Sequence, residues 1–159
     1  MAVTAGDLAP PFTLPGIQDG KRREYALGDL AGRPVVLVFY PGDNTPVCTR
    51  QLNAYSADID QFLALDAQVL AISPDDLDSH EGFADHQGGL AFPLLADADR
   101  DVARTYGVLG PVGFYRRCVF VVDPSGRLAY VHRGFAGTTF RRTPELVEAI
   151  RSAQGAADS

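Results

Sequence analysis

Val35 to Tyr40 is an unbroken run of β-branched, aliphatic and aromatic residues. A run of that kind fits a strand covered on both faces, so the chain must supply a layer on either side of it. Gly32-Arg33-Pro34 introduces the run and Pro41 ends it. After the short polar stretch Gly42-Asp43-Asn44, Thr45 reads as a helix N-cap, because its hydroxyl can accept from an otherwise unpaired backbone N–H. Pro46 suits the first helical position, where its missing N–H costs nothing. Leu52, Tyr55, Ile59 and Phe62 then recur at helical spacing, which predicts a helix from about Pro46 to about Leu65 with one buried stripe. Cys48 falls in the first turn of that helix. The N-terminal end of a helix carries unpaired N–H groups and a partial positive charge, which suit a negatively charged sulfur. Cys48 is therefore a candidate nucleophile.

Before this core, Phe12-Thr13-Leu14 and a second extended piece through Tyr25 to Leu27 flank Asp19-Gly20, a hairpin signal. After it, Gln68 to Ile72 reads as a strand closed by Ser73-Pro74. Asp75 to Gln87 reads as a mostly solvated helix with Phe83 as its main inward residue, stopped by Gly88-Gly89. Phe92 to Ala96 is expected as an edge-like strand, and Asp99 to Tyr106 as a short helix ended by Gly107. Arg117 to Val122 and Arg127 to His132 are extended runs joined by Asp123-Pro124-Ser125-Gly126, a reverse-turn sequence. A capped start at Thr143-Pro144-Glu145 opens a last helix that turns Leu146, Val147 and Ile150 inward. The order predicts an α/β thioredoxin-like fold: a mixed central sheet with helices on both faces and an N-terminal β-hairpin. A loop after the central strand then lies at its carboxyl end, where sites of open α/β sheets are found.

With 159 residues, 46% of them hydrophobic, the chain has room for one domain, with a core over about residues 3–150 and a frayed tail over about 152–159. A net charge of −6 argues against a nucleic-acid or anionic-membrane binder, since both rely on clustered positive charge. Nowhere do about eighteen apolar residues run together, and no basic region precedes an apolar stretch at the N-terminus, so a cytoplasmic protein is expected. Cys48 and Cys118 are too few for a disulfide scaffold and are not spaced as zinc ligands; neither a metal nor a cofactor is expected.

Pro41, Thr45 and Cys48, spaced as proline, three residues, threonine, two residues, cysteine, resemble the active-site motif of the peroxiredoxins. The resemblance extends to Gly6 to Leu14, Phe39-Tyr40-Pro41, Phe92 to Asp97 and Arg117 to Asp123, and covers about residues 3–150. Within the family, Thr-Pro-Val-Cys-Thr is most similar to the bacterioferritin comigratory protein, or PrxQ, branch. The resemblance implies reduction of hydrogen peroxide or an organic hydroperoxide, with Cys48 as the peroxidatic cysteine. It gives Arg117 the task of holding the thiolate and polarising the peroxide through its fork of donors. Thr45 would orient the peroxide, the N–H groups around Val47 and Cys48 would add donors, and Pro41 would shield the sulfur from water. Gln51 stands where the family commonly has glutamate; an amide can hydrogen-bond there but adds no charge.

Alternatives stand beside these roles. Arg116 competes with Arg117, and strand alternation lets only one of them face the site. Phe83 resembles an aromatic position near the site in relatives but reads as core. Oxidation leaves a sulfenic acid that must be reduced before a second peroxide overoxidises it. The position five residues after Cys48, where many PrxQ-type proteins carry a resolving cysteine, is Asn53, and Asp75 to Gln87 holds no cysteine. Cys118 is the only other thiol, and it points away from a site that Arg117 faces. A one-cysteine mechanism is therefore expected, with a thioredoxin-like protein or a low-molecular-weight thiol as reductant, in a monomer or homodimer. A thioredoxin-like disulfide exchanger needs two thiols flanking two residues, which Cys48-Thr49-Arg50-Gln51 does not offer. A cysteine hydrolase needs a histidine base, and His80, His86 and His132 read as surface or strand residues. The remaining rival is a peroxide sensor or holdase in which Cys48 oxidises without efficient turnover. The loop Leu109 to Tyr115, apolar and glycine-rich, reads as substrate rim or interface.

Overall fold

The computed structural model describes residues 3–30, 32–42, 46–109, 115–133 and 143–157, with the backbone alone at 46, 47 and 153–157. The N-terminal hairpin is β1 (Thr13–Gln18) and β2 (Lys21–Ala26), turning at Asp19 and Gly20, whose φ values of 53° and 75° are those of a two-residue hairpin turn. A 3-10 helix at Leu27–Leu30 replaces the expected extension of β2 through Leu27. Then follow β3 (Val35–Phe39), α1 (Pro46–Ala57), α2 (Ile59–Leu63), β4 (Gln68–Ser73), α3 (Leu77–His86), β5 (Leu94–Ala96), α4 (Asp101–Tyr106), β6 (Cys118–Val122), β7 (Leu128–Arg133) and α5 (Thr143–Ala157). The helix expected from Pro46 to Leu65 is two helices. Asp58, at φ −96° and ψ 14°, leaves the helical region between them, yet the buried stripe continues from Tyr55 to Phe62.

The strands form one mixed sheet in the order β2-β1-β5-β4-β3-β6-β7. β3 runs parallel to β4 and β4 to β5, while β6 is antiparallel to β3, and β1 is antiparallel to β5. The expected edge-like strand at Phe92 to Ala96 is thus corrected: β5 lies between β4 and β1, and all three of its residues are buried. Its outer side is covered because β1 pairs Gly16 with Leu95 and Ile17 with Leu94.

Alternation along β3 divides the core in two. Val36 and Val38 face a cluster with Cys48, Leu52 and Tyr55 of α1, Phe62, Phe83, and Leu146 and Ile150 of α5. Val35, Leu37 and Phe39 face the other cluster, with Phe12, Tyr106, Tyr115, Cys118 and Phe120. Every β3 residue is at most 1% exposed, so burial of each large side chain contributes on the order of 1.5–3 kcal/mol. On the second face, Phe39 meets Phe120 edge-on at 5.4 Å, and Phe120 meets Tyr106 edge-on at 5.3 Å. Such pairs add about 0.5–1.5 kcal/mol beyond burial and here lock β3, β6 and α4 to each other.

Candidate active site

The carboxyl end of β3 carries Tyr40, whose N–H donates to the Ile72 carbonyl at 3.0 Å, so the chain stays on the sheet for one residue beyond the strand. Pro41 is half-buried and Gly42 buried. A Cβ on Gly42 would stand 3.3 Å from a carboxylate oxygen of Asp75, so the turn passes close to the end of β4. Thr45 lies outside the described residues, and of Val47 only the helical backbone is described. Cys48 is the third residue of α1 and is fully buried.

Arg117 reaches this point from β6. Cys118 pairs with Phe39 in antiparallel register, so the residue before it falls opposite Tyr40, at the end of β3 that carries the Cys48 turn. Alternation then sends Val119 and Val121 to the Cys48 face, while Cys118 and Phe120 go to the other. Arg117 is 4% exposed; its Nη2 donates to Cys48 Sγ at 3.2 Å and its Nη1 donates to Gln51 Oε1 at 2.5 Å. Gln51 is itself fully buried, one turn along α1 from Cys48, and its Nε2 donates to the Tyr55 hydroxyl at 3.4 Å. The structure brings Cys48, Gln51 and Arg117 together and puts the second thiol, Cys118, in the opposite half of the core. A guanidinium that holds a buried sulfur suits chemistry in which that sulfur is negative. The profile of the AhpC/TSA family matches residues 5–131.

The chain belongs to that family, the peroxiredoxins.

It is accordingly a thiol-dependent peroxidase, with a peroxide as substrate and a thiol as reductant. This peroxiredoxin is 41% identical over 134 residues to "Peroxiredoxin Q, chloroplastic" of Sedum lineare, covering 82% of the present chain and 69% of that one. It is 35% identical over 138 residues to "Thioredoxin peroxidase" of Echinococcus granulosus, covering 82% and 72%. Among solved structures, Mycobacterium bovis AhpC superposes with a TM-score of 0.88 at 27% identity, over 98% of this chain and 95% of that one.

Two buried polar side chains of this peroxiredoxin escaped the sequence reading. His80, expected as a surface or strand histidine, is fully buried on α3: Nε2 is 3.0 Å from the Leu95 carbonyl, and Nδ1 is 3.4 Å from the Tyr40 hydroxyl. Leu77, His80 and Phe83 recur at a spacing of three, a stripe that placed His80 on the inward face of its helix. Tyr55 reads as plain core at helical spacing, yet its hydroxyl meets Gln51. Burial pushes that hydroxyl up to about 12, against the opposing pull of the Gln51 hydrogen bond. Phe83 is core, as expected, at 1% exposure. Of the loop expected as rim or interface, residues 110–114 lie outside the described residues. Tyr115, at its end, is buried and donates to Asp97 at 3.1 Å.

Proposed function

We propose that Cys48 is the peroxidatic residue of a PrxQ-like, one-cysteine peroxiredoxin that reduces hydrogen peroxide or organic hydroperoxides in antioxidant defence. The thiolate attacks the nearer peroxide oxygen in line with the O–O bond. That bond breaks, Cys48 becomes a sulfenic acid, and the departing oxygen leaves as water or an alcohol after taking a proton. Arg117 holds the sulfur through Nη2 and is placed to stabilise charge on the departing oxygen. Gln51 steadies the guanidinium through Nη1. Thr45 orients the peroxide, backbone N–H groups at Val47 and Cys48 contribute donors, and Pro41 shields the sulfur.

An external thiol then attacks the sulfenic sulfur, releasing water and leaving a mixed disulfide. A second thiol displaces Cys48 as thiolate and closes the cycle. The Echinococcus granulosus relative, a thioredoxin peroxidase, supports a thioredoxin-like reductant, with a low-molecular-weight thiol as the alternative. The similarity to peroxiredoxin Q supports the branch. No helix among the described residues is long and apolar enough to cross a membrane. We place the protein in the cytoplasm, as one domain over residues 1–159 working as a monomer or homodimer.

The observation that carries the reading is the 3.2 Å contact of Arg117 with Cys48 on a face that Cys118 does not share. The test is intact mass of the reduced protein after one equivalent of hydrogen peroxide, with and without a sulfenic-acid trap. A trapped adduct on Cys48 that persists in Cys118→Ser and vanishes in Cys48→Ser is the expected result. Loss of two hydrogens, abolished by either substitution, would make Cys118 the resolving cysteine and overturn the one-cysteine cycle.

A further inference from the structure

The amide of Gln51 has one correct orientation and one wrong one. A guanidinium only donates, so the Gln51 atom that faces Arg117 at 2.5 Å must be the oxygen. That choice turns Nε2 the other way, into a fully buried setting where an amide nitrogen without an acceptor is expensive. Nε2 finds the Tyr55 hydroxyl at 3.4 Å, one turn further along α1. Positions 48, 51 and 55 share one face of the helix, so Cys48, Gln51 and Tyr55 stand in a row over which Arg117 is laid. Tyr55 stays a neutral hydroxyl through the physiological range, with lone pairs to offer the amide, because burial holds it at about 12.

We infer that Tyr55 is a positioning residue for the peroxidase reaction: its hydroxyl accepts from the amide nitrogen that Arg117 turns away from itself, and so holds the Gln51 amide and, through it, the guanidinium that holds Cys48. The inference rests on the reading that Cys48 and Arg117 carry the chemistry. It follows from residue 51 being an amide. A carboxylate there presents an acceptor oxygen to Arg117 in either orientation and has no N–H to satisfy, so it needs no acceptor at position 55. A phenylalanine at 55 keeps the ring against Phe62 and removes the hydroxyl that accepts from Gln51.

The test measures the rate of Cys48 oxidation by hydrogen peroxide, by rapid quench with a thiol-blocking reagent and mass analysis, in the full chain. Four proteins are compared: wild type, Tyr55→Phe, Gln51→Glu, and the double variant. Tyr55→Phe is expected to slow oxidation about ten-fold in the wild-type background, the scale set by one buried group left unsatisfied. The same change in the Gln51→Glu background is expected to slow it by less than about two-fold. Urea midpoints for all four report folding, and the pairwise comparison survives a common loss of stability. An unchanged rate in Tyr55→Phe, or an equal loss in both backgrounds, would overturn the inference and leave Tyr55 as packing alone. If wild-type protein shows no oxidation at Cys48, it is the proposed function that fails instead.

Discussion

Arg117 holds two acceptors at once, Cys48 Sγ through Nη2 and Gln51 Oε1 through Nη1. A planar fork can do so without moving, and an ammonium cannot. Arg117→Lys keeps the charge and loses the fork, so the rate of Cys48 oxidation should fall about a hundred-fold, the scale of one lost transition-state donor. Stopped-flow oxidation with hydrogen peroxide reads this directly, and a rate within about three-fold of wild type would show that charge alone suffices. At this scale the sequence was legible where residue type and spacing carry the chemistry. Cys48 in a first helical turn was reached that way, whereas Gln51 and Arg117 were named only by the resemblance to the peroxiredoxins. Tyr55 and His80 were reached by neither, because an aromatic or imidazole ring on an inward stripe reads as core. What gives each a polar task is a partner brought from elsewhere in the turn or the chain: Gln51 for Tyr55, and Tyr40 and the Leu95 carbonyl for His80.

The elements were legible in kind and order, and the discrepancies have physical causes. A 3.6-residue stripe runs through Asp58 without interruption in the sequence, so the break between α1 and α2 left no mark on the periodicity. β5 read as an edge because its covering strand, β1, precedes it by some eighty residues, and a short apolar run does not name its neighbours. That cover depends on Gly16. A Cβ there would stand 2.7 Å from the Tyr25 ring and 3.1 Å from the Leu94 carbonyl oxygen, across the β1–β5 pairing. Glycine in a strand normally costs stability, so alanine ought to help. Here the steric conflict reverses the sign, and Gly16→Ala should destabilise by about 1–3 kcal/mol. Urea denaturation decides it: a midpoint at or above that of wild type would mean that Tyr25 and the sheet yield freely.

For the molecule as a whole, Asp97 sets an unusual dependence on pH. Its fully buried carboxylate accepts from the N–H groups of Val102 and Ala103 and from the Tyr115 hydroxyl, tying the end of β5 to α4 and to the approach of β6. Burial raises Asp97 above its ordinary 3.8, and these hydrogen bonds only partly oppose it. The folded chain therefore holds this proton more tightly than the unfolded chain. Its contribution to stability is full below about pH 3.8 and is lost as pH rises through the folded value. The difference in unfolding free energy between wild type and Asp97→Asn should accordingly shrink as pH rises above about 4. A difference that stays flat, or that grows with pH, would contradict the assignment.

The pairing of β6 with β3 joins two residues that stand 69 positions apart, Cys48 and Arg117. A ribosome adds about 5–20 residues per second, so the cysteine precedes its arginine by roughly 3–14 s during synthesis. For that interval the growing chain carries the thiol without the guanidinium that holds it. On the proposed roles of Cys48 and Arg117, reactivity towards peroxide is acquired only when β6 closes on β3, and a half-made chain would meet an oxidant before it has become an enzyme.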